Sequence, residues 1–147
     1  MKASLQDYRY DYLCVEPKIV WAPSVFFEAE YKATVSCVGG GIGEDTSLDP
    51  LWEVAQRLTL SLEFHDTEFR LSGEHFYNDL SKNQHLNIWL ADVSLIHKAG
   101  KWRFAASAIN LFNKEQYRYT LYSAVQSYTS WIKLRPREFM VSVQYQW

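Results

Sequence analysis

From Val25 to Cys37 the chain alternates strictly between two kinds of residue. Odd positions read Val25, Phe27, Ala29, Tyr31, Ala33, Val35 and Cys37, and after Phe26 the even ones read Glu28, Glu30, Lys32, Thr34 and Ser36. Successive side chains of a strand point to opposite faces, so this pattern specifies a strand with one apolar and one polar face. Globular strands average about 5–6 residues. A thirteen-residue run exceeds the ~9–11 residues that a tilted strand needs to cross a bilayer.

The same period recurs. Leu58, Leu60, Leu62 and Phe64 alternate with Arg57, Thr59, Ser61 and Glu63, and Phe69, Leu71 and Gly73 with Arg70, Ser72 and Glu74. A run from about Leu86 to His97 sets Trp89, Ala91, Val93 and Leu95 against Asp92 and Ser94. Trp102, Phe104, Ala106 and Ala108 oppose Arg103, Ala105 and Ser107, and the chain closes on Phe139, Val141, Val143, Tyr145 and Trp147 against Met140, Ser142, Gln144 and Gln146. A weaker strand covers 8–15, and a short one is possible near Tyr117–Tyr122. The expected fold is all-β: an antiparallel up-and-down meander of about 7–8 strands over residues 1–147, with no domain boundary. The segments 16–23, 65–68 and 98–101 read as short turns on one rim. Those at 38–55, 78–85 and 113–135 read as longer loops on the other, which is the habit of outer-membrane barrels.

Composition narrows the partners. Fifteen Lys and Arg against 17 Asp and Glu give a net charge of −2, with no basic excess to neutralise phosphates, so nucleic acid is not expected. An apolar fraction of 48% excludes a disordered chain. No apolar run is long enough for a transmembrane helix, which leaves strands as the only way into a bilayer. No secretory signal is legible at the N-terminus. If 8–15 and 25–37 form a hairpin, Cys14 and Cys37 lie at opposite rims, beyond the ~4.4–6.8 Å Cα separation of a disulfide.

Candidate chemistry is sparse. His65, His75, His85 and His97 lack ligand spacing, so no metal or other cofactor is expected. The run Val38-Gly39-Gly40-Gly41-Ile42-Gly43-Glu44-Asp45 lacks the Lys-Ser/Thr of a phosphate loop and reads as a flexible loop tip. No catalytic triad or paired-carboxylate spacing stands out, and no enzyme activity is expected. Asp92 falls on the polar face, with Arg103 on the next strand as its expected partner. Phe27, Phe64, Phe69 and Trp102, with Tyr145 and Trp147, fall near the short-turn ends of their strands on the apolar face. Tyr77, Trp89 and Phe139 fall nearer the other rim. Two aromatic belts fit an interfacial girdle.

The C-terminal half carries a resemblance. The stretches Ser72-Gly73-Glu74-His75-Phe76-Tyr77-Asn78 and Leu90-Ala91-Asp92-Val93-Ser94-Leu95 are followed by Asn110-Leu111-Phe112-Asn113-Lys114, then by Arg135-Pro136-Arg137-Glu138 and a strand ending in an aromatic. In this order they resemble the end of a TonB-dependent outer-membrane receptor of the type common in Bacteroidetes-like bacteria. The similarity covers about residues 56–147. It implies part of an outer-membrane β-barrel wall, in a parent of about 22 strands with a plug, that imports a nutrient such as a metal chelate or a glycan. It also implies that the terminal strand Phe139, Val141, Val143, Tyr145, Trp147 is the signal read by the outer-membrane assembly machinery, by addition to a sheet edge. The implied partners are the lipid bilayer and that machinery, with TonB reached only through an N-terminal part not present here. Seven or eight strands without a plug imply a fragment, and hence an open sheet with edges at 8–15 and 138–147. The alternatives are a soluble lipocalin-like carrier and an independent ~8-stranded outer-membrane barrel.

Overall fold

The computed structural model describes residues 8–42, 46–81, 84–122 and 127–147. Ten strands follow one another: β1 Tyr8–Val15, β2 Lys18–Ser24, β3 Phe27–Ile42, β4 Thr46–Phe64, β5 Thr67–Ser81, β6 Gln84–Ala99, β7 Trp102–Ile109, β8 Gln116–Tyr122, β9 Ser127–Lys133 and β10 Glu138–Tyr145. All but β8 and β9 form one antiparallel sheet in the order β1-β3-β4-β5-β6-β7-β10, with β2 also on β3, and β8 and β9 pair separately. The sheet is open: among the described residues no ladder joins its two edges. This is the expected meander, with β8–β9 inserted before the last strand.

The register explains the alternation. Phe27 faces Leu62, Leu62 faces Phe69, Phe69 faces Leu95, Leu95 faces Ala106 and Ala106 faces Val141. Each apolar set therefore continues across every strand on one face, because a one-residue slip would turn a whole strand over. Val25 is the exception, since it sits in the β2–β3 turn.

Three two-residue turns, Val25-Phe26, His65-Asp66 and Gly100-Lys101, lie on the rim that also holds Trp147. Backbone bonds link them to neighbouring strand ends: Glu63 N–H to Phe26 O, Lys98 N–H to Asp66 O and Gln146 N–H to Lys101 O. Gly100 (φ 61°) and His65 (φ 51°) take the left-handed conformation at the first turn position, the place where a tight hairpin needs positive φ.

Several expected loops are strands instead. Residues 16–23 are not a turn. The partners of β1 and β2 on β3 keep one continuous register, from Tyr8 facing Ile42 to Trp21 facing Ala29. The two are one edge strand, interrupted at Glu16-Pro17 where Ala33 N–H still donates to Pro17 O. Proline reads as a breaker in sequence, yet an edge strand tolerates it. The segment 38–55 is also not a long loop, because β3 runs to Ile42 and β4 starts at Thr46. A bulge absorbs Asp49-Pro50 opposite Gly39, where a residue without N–H costs least. Likewise 78–85 is largely β5 and β6. Within 113–135 the short strand near Tyr117–Tyr122 is β8, and β9 is its unanticipated partner. The glycine run is correspondingly no loop tip: Val38 to Ile42 is paired on both sides, and only Gly43, Glu44 and Asp45 lie outside the described residues.

The cysteines are not at opposite rims. Leu13 faces Cys37 and Cys14 faces Ser36, so they are diagonal neighbours on paired strands. Their side chains point to opposite faces, and both thiols are free.

A Cβ at Gly40 would run into the Arg9 carbonyl of β1. Gly40→Ala is therefore expected to push β1 off β3, at a cost of about 1–3 kcal/mol. Hydrogen exchange should accelerate at 8–15 and stay unchanged in β5, whereas equal exchange at 8–15 in both proteins would contradict it.

Candidate functional site

Among the described residues no second layer covers the apolar face of the sheet. Of these residues only Ala33, Ile88 and Ala108 are buried apolar ones, while Val141 is 81% exposed, Phe139 73% and Phe64 68%. By register the apolar face carries Leu13, Val15, Ile19 and Trp21 on β1–β2, 27–37 on β3, Val54 to Phe64 on β4, Phe69 to Tyr77 on β5, Trp89 to Leu95 on β6, Trp102 to Ala108 on β7 and Phe139 to Tyr145 on β10. The stretches are roughly 7–11 residues long, and those on β1 to β5 reach the ~9–11 residues of a tilted membrane strand. The strands themselves are longer: β3 to β6 have 16, 19, 15 and 16 residues. The excess lies away from the two-residue turns, where the same face becomes polar with Arg9, Asp11, Asp79, His85 and Asn87.

Aromatic residues mark both limits of the band. At the turn end, Phe27, Phe64, Phe69 and Trp102 share the apolar face with Tyr145. Trp21 meets Phe27 edge-on at 5.5 Å, Trp102 meets Tyr145 at 4.9 Å, and Tyr145 meets Trp147 at 5.7 Å. Trp21 is not among the expected aromatics, because the segment 16–23 reads as a turn in the sequence. At the other limit, His75 stacks on Trp89 at 4.2 Å. There Tyr31 Oη donates to Gln56 Oε1 (2.7 Å), Gln56 Nε2 contacts His75 Nδ1 (2.8 Å) and His75 Nε2 contacts Asn87 Oδ1 (3.0 Å). This cross-strand row ties together groups that would each lose water if that part of the face were covered.

The opposite face is charged and internally paired. Glu30 bridges Lys18 (3.1 Å) and Lys32 (2.7 Å), Arg57 pairs with Glu74, and Arg70 pairs with Glu68 (3.1 Å). Glu28 and Glu63 share this face, as the alternation requires.

The Asn-Leu-Phe-Asn segment is where the chain leaves the sheet. Asn110 is buried and takes φ 54°, and Asn113 takes φ 52°. Asn110 Nδ2 donates to Lys114 O (2.8 Å) and to Arg135 O (2.7 Å), while its Oδ1 accepts from Lys114 N–H (2.9 Å). Asn113 N–H donates to Asn110 O, and Arg137 N–H donates to Asn113 Oδ1 (3.0 Å). Asn tolerates the left-handed region and bonds local backbone with its short amide. Leu111 N–H donates to Ala91 O, whereas Phe112 is exposed. Pro136 leads to Glu138, which pairs with Ile109 and restarts the sheet. Asp92 does lie on the polar face, but its partner is the Asn110 N–H (2.8 Å) and not Arg103, which faces Lys98 and Gln144 at the turn rim.

Beyond Asn110 the β8–β9 hairpin touches β6 and also β5, one strand further in, so it crosses a face instead of extending an edge. A cavity of about 140 Å³ beside it is lined by Ser72, Glu74, Asp92, Ile109, Leu134 and Arg135. Leu90 and Ala91 line it too; apart from Ala91, which lies on the apolar face by register, the sheet residues around it belong to the polar face. Ile88, buried on that face, belongs to the same end of β6.

Among the described residues no three His, Cys, Asp or Glu side chains converge on a metal-sized site, and no helix is long and apolar enough to cross a membrane. No family model, curated protein or solved structure shows a significant match to the chain.

Proposed function

We propose that the chain forms part of the wall of a larger outer-membrane β-barrel, of the TonB-dependent receptor type, with its apolar face to lipid and its charged face to an aqueous lumen. The observation that carries the reading is the apolar band itself. It is exposed, one bilayer tall, bounded by aromatics and continuous over seven adjoining strands when β1–β2 counts as one. In the parent such a wall encloses the route of an imported nutrient, a metal chelate or a glycan.

The strand count supports a segment over a self-contained barrel. Six antiparallel pairings separate the β1–β2 edge from β10, so both edges run in the same direction. Joining them directly would create a parallel pair, whereas antiparallel bacterial barrels close with an even number of strands. An odd number of further strands must complete the wall. The same argument weighs against direct closure as a lipocalin-like carrier or an independent small barrel. The β10 edge, with Phe139, Val141, Val143 and Tyr145 on the lipid side and outward-pointing backbone groups, suits strand addition to the assembly machinery.

Single cysteines at 58–62, in a Cys14→Ser/Cys37→Ser background, test the reading when labelled with a fluorophore in vesicles of brominated lipid. Quenching should alternate, strong at Leu58, Leu60 and Leu62 and weak at Thr59 and Ser61. Uniform or inverted quenching would overturn it.

A further inference from the structure

We propose that Asn110 is the positioning residue of a strap: it holds the β8–β9 hairpin folded back across the polar face of the sheet. A chain leaving β7 at Ile109 would by default continue along the strand direction, away from the sheet. Instead two left-handed asparagines three residues apart reverse it. The Asn110 amide then bridges the outgoing strand of the excursion, at Lys114, and its returning strand, at Arg135. Asp92 anchors the clasp to β6 through the Asn110 N–H, and Asn113 fastens the return at Arg137. The hairpin base is thus tied at four points within one turn of chain, and Glu115 O accepts from Leu134 N–H to close it.

The place the hairpin covers agrees with this. Phe76, Ile88 and Leu90 lie on the otherwise charged face of β5 and β6, the two strands that β8 touches, and Leu90 lines the cavity shared with Leu134 and Arg135. Apolar residues on that face are expected only where something covers them. Resting on the proposal that this face lines a lumen, the strap occupies the aqueous side of the wall, and Asn110 thereby sets the free width there.

Asn110→Gly isolates the effect, because glycine keeps the positive φ without strain and removes only the side-chain bonds. Three hydrogen bonds of ordinary net strength correspond to roughly a ten- to thousandfold change in hairpin opening. In the full chain in detergent, exchange of the amides in 116–133 should accelerate by that factor while β4 and β5 are unchanged. Spin labels at Thr59 and Lys133, in the cysteine-free background, should move from a narrow to a broad and longer distance distribution. Asp92→Ala, which removes one of the clasp's two bonds to β6 and leaves Leu111 N–H on Ala91 O, should do the same to a lesser degree. Unchanged hairpin exchange and distances in Asn110→Gly would overturn the strap, and so would equal acceleration across all strands. Failure of the lipid-quenching alternation with a normal Asn110→Gly response would instead count against the lumen reading alone.

Discussion

Diluted out of detergent, the chain should aggregate, with light scattering that rises with protein concentration and is prevented by detergent or lipid. Seven strands about 4.8 Å apart, each with about nine band residues at ~3.3 Å, present an apolar patch on the order of 1,000 Å². The largest patch on a typical soluble monomer is about 300–600 Å². The two open edges add rows of unpaired N–H and C=O groups, which template further pairing. A monodisperse monomer in plain buffer would mean that the apolar face is covered, as in a carrier whose sheet has closed around it.

The second large effect separates the two faces at adjacent positions. Leu60 lies mid-band between Ala29 and Leu71, and Thr59 lies on the other face between Glu30 and Ser72. With the apolar face against lipid, as proposed, Leu60→Lys would place an ammonium in hydrocarbon and should lower stability in bilayers by about 2–4 kcal/mol. Thr59→Lys joins a wet, charged surface and should stay within about 0.5 kcal/mol of the parent. Denaturant midpoints of the two variants in lipid measure the difference. A larger loss at Thr59 would invert the faces.

Much of this structure is local in origin and therefore legible in the residue order. A side chain's face follows from its parity along a strand, so Phe27, Leu62, Phe69, Leu95 and Val141 could be assigned to one face before any pairing was known. The turns His65-Asp66 and Gly100-Lys101 are equally local, being short gaps between two alternating runs. The C-terminal motif was legible as a pattern, but its work was not. That Asn110 grips Lys114 and Arg135 depends on a loop returning after more than twenty residues.

The errors share one cause. The segments 16–23 and 38–55 read as a turn and a loop; they contain Pro17, Pro23, Pro50 and the glycines from 39 to 41, residues that weaken a strand considered alone. In the sheet, β3 supplies partners to β1, β2 and β4, and bulges at Ala22-Pro23 and Asp49-Pro50 take up the misfit. Neighbouring strands thus overrode local preference, as they do generally for β-structure. The cysteine placement failed for the same reason: once 16–23 is strand, the hairpin turns at Val25-Phe26, and Cys14 comes to rest beside Ser36.

The faces, the long apolar period and the meander order follow from the residue order alone, since a two-residue repeat leaves each strand only one way to hide or expose its apolar half. The open sheet with its edges at 8–15 and 138–147 agrees with the expectation, whereas how far the strands run, the common direction of the two edges and the inward turn of the β8–β9 hairpin emerged only from the folded chain. Those features depend on hydrogen bonds between residues distant in the chain, such as Asp92 with Asn110 and Asn110 with Arg135, and no short-range pattern encodes them.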